Sequence, residues 1–356
     1  MTSLLAIAVL ALAAAALFLL PLIPAMVELR RKTDAQPLSV IQQHTGEIRF
    51  FADSFRGYIK ELAPVLTEAG HSGKALAGSL PDATQYLVLG SGREALRLPL
   101  TEADELCPVL LAAGVDLSLP PDTTFSKDIY AGGRFAGGTK NKYRAILGEK
   151  AVHLGAESSV MRWVHAVGEF TADPACELHG RVSSDCGIQL SRDCTFQRLN
   201  APRIEFGLEP TPELGETMEF KTPGSSKAPQ RLLHDGDFEI AAGEIFRGNL
   251  VVRGTLRVGP GARVWGSVKG DEAVVIESGA RVEGSLVSAN TMRIGASCAI
   301  HGPVIAEKLI FLEKGARCGT AQTPTTVSAP WIEVEEGVAV FGTLWARELG
   351  QVIAKL

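Results

Sequence analysis

The chain has 356 residues, enough for two or three domains, and a formal charge of -5 with a pI near 5.9 argues against a nucleic-acid binder. Aromatic residues make up only 6% while glycine numbers 37, a balance that suits thin repetitive β structure better than a large mixed core.

Residues 2–27 carry no charge, and 4–27 are long enough to cross a bilayer as a helix despite Pro21 and Pro24. A cleaved signal peptide is the competing reading; it lacks a basic leading segment and a small-x-small site near Ala25. Arg30, Arg31 and Lys32 follow the span, so the positive-inside rule predicts a single-pass protein of the inner (cytoplasmic) membrane with its bulk in the cytoplasm. Residues 1–32 are thus read as a transmembrane anchor with a basic flank.

Residues 33–114 read as a linker followed by a small, mainly helical region. Over 45–62, Ile48, Phe51, Phe55, Ile59 and Leu62 return at helical spacing, with Arg49, Asp53, Arg56 and Lys60 on other faces and Pro64 as the limit. Such a helix packs on its own domain or lies on the membrane surface. Residues 102–113 also look helical. At 86–95 an apolar run leads into Gly90-x-Gly92-x-x-Ala95, which imitates a dinucleotide-binding turn. Pro99 interrupts the helix that should follow, and the region is too short for repeated βαβ units, so an ordinary strand and turn is expected and no cofactor.

A β-solenoid is predicted from about Val115 onward. Its first block, 115–206, shows inward pairs such as Val152/Leu154, Val164/Ala166 and Ile188/Leu190, with Val160, Leu178 and Phe196 in one column. An inserted loop without apolar period occupies 207–237. The second block, 238–356, contains a smaller break at 320–331 and the most regular pattern in the chain. There Leu250, Leu256, Ala262, Val268, Val274, Ala280 and Leu286 recur every six residues, and Val252, Val258, Val264, Gly270, Ile276 and Val282 form a second register two residues later. Residues two apart share one side of a strand, so each hexad supplies one short strand with two inward side chains. Three hexads close one turn, and Gly248, Gly266, Gly284 and Gly302 stand 18 apart. A single turn buries too little to offset the ordering of its backbone, so stability must belong to the stacked array.

Of the six cysteines, Cys176, Cys194, Cys298 and Cys318 fall on inward positions, where a thiol is a small apolar filler. Cys176 and Cys194 stack one turn apart and could pair in an oxidising compartment. No Cys-x-x-Cys or His-rich spacing points to a metal.

The stretches LRVGPGARVWGSVKG, VVIESGARVEGSLVSA and MRIGASCAIHGPVIA, at 256–270, 274–289 and 292–306, closely resemble the bactofilin family of polymer-forming bacterial cytoskeletal proteins. The resemblance implies a right-handed, three-faced parallel β-helix that self-assembles without nucleotide, often at the membrane, and scaffolds envelope-building or polysaccharide-synthesis proteins. The chain departs from the family's compact pattern. Residues 45–114 can cap one end, and the insertions at 209–235 and 320–329 can obstruct lateral contacts, so a capped solenoid would pair through the turn from 338 to 352. Outward Trp163, Trp265 and Trp345 are candidates for a partner surface.

Three other functions compete. A hexapeptide-repeat acyltransferase also uses three hexads per turn and needs an exposed histidine as general base; His153, His165, His179 and His301 all take outward positions, with no carboxylate evident at matched spacing. A carbohydrate-cleaving β-helix would show acidic clusters, whereas Asp and Glu are dispersed here. A non-polymerising membrane-tethered adaptor shares every feature of a scaffold. The preferred reading is a scaffold with no catalytic, cofactor-binding or metal-binding residues.

Overall fold

The computed structural model describes residues 49–91, 98–101, 105–207 and 231–354, with five isolated positions before residue 47. The chain divides into two units, Met1–Gly46 and Glu47–Leu356. The expected membrane span lies almost wholly outside the described residues, and among those described no helix is long and apolar enough to cross a membrane.

The second unit is an all-β solenoid of about 12 turns. Its periodicity becomes structure in the strand pairing. Phe238–Ile240 pairs in parallel with Leu256–Val258, which pairs with Ala273–Ile276, then Thr291–Ile294 and Leu309–Leu312, each step advancing 18 residues. Each of these strands bonds to the third strand along the chain, so the coil has three faces. Val258, Val264, Ile276, Val282 and Ile294 are fully buried in the axial core, as their register requires. The glycine column has a steric cause: a Cβ on Gly266 would stand 2.1 Å from the Gly248 carbonyl oxygen, and one on Gly284 2.4 Å from that of Gly266. Backbone stacks on backbone at this corner, leaving no room for a side chain.

Parallel pairing begins before the expected Val115. Gln85–Leu89 pairs with Leu110–Ala113, which pairs with Ile129–Ala131. The expected helix at 102–113 is replaced, in its described part, by the strands Leu106–Cys107 and Leu110–Ala113. All four residues of Leu110–Ala113 are buried because Leu111 and Ala113 face the axial core while Leu110 and Ala112 face a second core outside it. A strand buried on both sides loses its alternation and cannot be told from a helix by pattern.

That outer core belongs to two helices, α1 (Phe50–Ile59) and α2 (Ala63–Ser72), joined by a 3-10 turn. Pro64 does not end the helical region; it sits in the first turn of α2, where a missing N–H costs nothing. Phe55, Ile59, Leu62 and Ala69 pack on the outward residues Val88, Leu110, Ala112, Ala145, Leu147 and Trp163. Arg56 Nε donates to Glu149 Oε1 at 2.8 Å beside this contact. The helices therefore cover a flank of the first block, and among the described residues only the strand Leu76–Ser79, antiparallel to Gln85–Leu89, extends its starting edge. Gly90 lies where α2 ends, since a Cβ there would be 2.3 Å from the Ala69 carbonyl oxygen. This close approach accounts for the first glycine of the dinucleotide-like motif; Gly92 and Ala95 lie outside the described residues.

The two blocks meet in an arrangement that the repeat does not announce. Thr195–Phe206 pairs in parallel with Glu177–Ser184 and Ile188–Leu190 behind it, but antiparallel with Ala339–Ile353 ahead of it. Phe196 stands opposite Gly350, Leu199 opposite Leu344 and Ile204 opposite Val340. The blocks thus abut last coil to last coil and run in opposite directions, while one hydrophobic core continues through the seam. A side chain on Gly350 would collide with the Phe196 ring, 2.2 Å away. Gly207 adjoins the seam, whereas Arg231 opens the coil farthest from it.

Candidate functional site

The seam settles which ends of the second block are available. The turn from 338 to 352, expected to mediate pairing between copies, is already hydrogen-bonded to the first block. The opposite end is formed by Arg231–His234, Phe238–Ile240 and Ile245–Arg247. Each of these strands pairs along one edge, with Asn249–Val252, Leu256–Val258 and Arg263–Trp265, and none has a partner strand on the other edge among the described residues. Leu232 continues the inward column of Leu250 and Val268 yet is 42% exposed; Leu233 and Ile245 on the rim are each 53% exposed. Phe238 and Phe246 are half-buried against the core. The second block therefore offers an apolar cross-section bordered by open strand edges, a template for further strand pairing.

The sequence-based candidates for a partner surface fare unequally. Trp163 is buried beneath α1, its ring 5.7 Å from that of Phe55. Trp265 is half-buried, and Trp345 is exposed with the Arg198 guanidinium 5.3 Å from its ring centroid. Exposed Trp331, not singled out by the pattern, stands on the flank of the second block.

The histidines also separate. His165 takes an outward position but is buried where α1 crosses the face, with Nδ1 2.9 Å from Ser183 Oγ. Burial holds its pKa below the ordinary value, opposed by nearby Asp185. His153 contacts Thr171 Oγ1 at 2.9 Å, and His179 contacts Glu177 at 3.1 Å. His301 Nδ1 lies 2.6 Å from Glu283 Oε2, one 18-residue turn below. A carboxylate at matched spacing thus exists, contrary to the sequence reading. The outward column Trp265, Glu283, His301 was the signal that could have revealed it.

Cys107, Cys176, Cys194, Cys298 and Cys318 are buried free thiols, and Cys186 is exposed. Cys176 donates to the Gly155 carbonyl at 3.3 Å and Cys194 to the Asp173 carbonyl at 3.2 Å. A hydrogen bond with Cys194, and then burial, push the Cys176 thiol up. Burial raises Cys298 to about 11 and Cys318 to about 12, so both remain thiols at pH 8. Titration of the native protein at pH 8 with a chromogenic disulfide reagent should therefore count one fast thiol, Cys186, and all six after unfolding. Two or more fast native thiols would contradict the inward register. Among the described residues, no group of three or more His, Cys, Asp or Glu side chains converges as a metal site.

Comparison with protein families matches residues 235–344 to the bactofilin model, described as polymer-forming cytoskeletal. Neither curated proteins nor solved structures give a match. The matched segment contains the regular coils, the strands Phe238–Ile240 and Ile245–Arg247 of the open turn but not Arg231–His234, and the first residues of the strand that reaches the seam. That description is of a structural, polymer-forming family. The stacked 18-residue coils coincide with the segment that the family model matches, so residues 235–344 are similar to the bactofilin domain, described as polymer-forming and cytoskeletal.

Proposed function

We propose that the protein is a self-assembling scaffold, tethered to the cytoplasmic membrane, that holds envelope- or polysaccharide-synthesis proteins in place. The observation that carries self-assembly is the coil at 231–247, with three strand edges that have no partner strand among the described residues and Leu232 exposed on the apolar cross-section. A second copy docking there would bury these groups without nucleotide chemistry. The tether rests on uncharged residues 2–27, followed by Arg30, Arg31 and Lys32. The client class rests on the family resemblance.

A second reading is favoured by the seam. Because the last coil of the second block is consumed within the chain, the second block has one open end among the described residues. Assembly through that end alone would stop at a pair of copies. Negative-stain electron microscopy of the full-length protein without nucleotide, beside light scattering across concentration, separates the outcomes. Filaments or sheets support open-ended assembly, and a uniform dimer supports the closed pair. A monomer at every concentration would overturn self-assembly. For the tether, extraction of cell membranes with alkaline carbonate should leave the protein in the pellet; release into the supernatant would refute it.

A further inference from the structure

The outer face crossing the seam carries a row of like charge. Trp163, Arg181, Arg198 and Trp345 stand in register on four neighbouring strands. Arg181 and Arg198 are thus direct cross-strand neighbours at a strand spacing of about 4.8 Å. Like charges placed opposite each other destabilise a sheet unless an anion offsets them. Each guanidinium is held against an aromatic ring, Arg181 over Phe51 of α1 and Arg198 over Trp345, both at 5.3 Å from the ring centroid. Stacking of this kind orients the planar fork and leaves its N–H groups to serve an acceptor.

Arg162 and Arg347 complete the rim of a groove of about 410 Å3, and no carboxylate lines it. Arg347 reaches Glu307 only at 3.6 Å, while Arg198 is perturbed by burial and by Arg181 and by no carboxylate. Arg198 Nε is buried and has no hydrogen-bond acceptor there. Four arginines line one groove without a carboxylate in its wall, although Arg347 reaches Glu307 and Arg162 is near Asp128 outside it, in a chain whose net charge is -5. Planar, bidentate donors of this type recognise phosphate oxygens. The volume suits a head group or small phosphorylated molecule and is too small for a folded partner.

We propose that the seam groove binds a phosphate-type oxyanion whose oxygens bridge Arg181 and Arg198 and whose attached group lies against Trp345. The shared chemistry is that of an anionic phospholipid head group or of a soluble phosphate compound. The groove is lateral and crosses the seam, away from the open coil at 231–247, so this assignment is independent of self-assembly.

The test is calorimetric titration of the full-length protein with sodium pyrophosphate and, separately, with dihexanoyl phosphatidylglycerol, using dihexanoyl phosphatidylcholine as the zwitterionic control. Saturable binding of at least one anionic probe is expected, weakened at least tenfold in R181Q/R198Q. Binding of pyrophosphate alone assigns a soluble ligand, and binding of phosphatidylglycerol alone assigns a lipid head group. Both binding supports an oxyanion site open to either source. No saturable binding of either probe, or equal binding by the double variant, overturns the proposal. If that variant fails to fold, the rim variants R162Q and R347Q replace it; each should weaken binding several-fold, and unchanged affinity in both would be equally fatal.

Discussion

Replacing Val282 with Asp should abolish cooperative folding of the coils around it. Val282 is fully buried and pairs in register with Val264 below and Ile300 above. An aspartate there would place a carboxylate among apolar side chains with no cation in register. Either the charge is buried or the group is protonated at neutral pH, and both cost several kcal/mol, on the order of 3–5. Ile294→Asp, between Ile276 and Leu312, should behave alike. The decisive control lies one position out of phase. Val275 faces outward between Arg257 and Arg293 on the adjoining strands, so Val275→Asp gains two cationic neighbours and should alter stability by less than about 0.5 kcal/mol. Urea unfolding of the three variants checks this. An unchanged curve for Val282→Asp, or an equal loss for Val275→Asp, would mean that the inward register is misassigned.

Charging the open coil should instead block assembly while leaving the fold intact. The double variant L232D/L233D adds two carboxylates at residues that are 42% and 53% exposed, so its melting temperature should fall by only a few degrees. Every copy docking through this surface would bring like charges together on an apolar patch, with a loss of at least tenfold in assembly. Trp331→Asp, on the flank, changes an equally exposed aromatic and should leave assembly as in the wild type. Sedimentation and electron microscopy of the three proteins give the answer. Polymers of undiminished length from L232D/L233D would place the contact elsewhere, and loss of assembly in Trp331→Asp would point to lateral contacts.

Much of this architecture was legible because the hexad pattern is a local record of which side chains point inward. Val258, Val264, Ile276 and Val282 are buried where the two six-residue registers put them, and Gly266 and Gly284 mark the corner where backbone meets backbone. The helix at Phe50–Ile59 was likewise visible in the spacing of Phe55, Ile59 and Leu62. Leu110–Ala113 was misread for an equally physical reason: apolar residues on both faces erase the period of two that identifies a strand. The carboxylate below His301 is hidden in the linear order because Glu283 stands a full 18-residue turn away.

By itself, then, the amino-acid order determined the coil and its three faces, since a strict period fixes the inward set wherever it occurs. Only the tertiary structure decided the direction in which the two blocks stack. An alternating inward pattern reads the same forwards and backwards, and the hydrogen-bonding edge of a last coil accepts a parallel or an antiparallel neighbour. The choice falls to contacts between distant residues, such as the Phe196 ring fitting over Gly350. From that choice follows the placing of Arg198 beside Trp345.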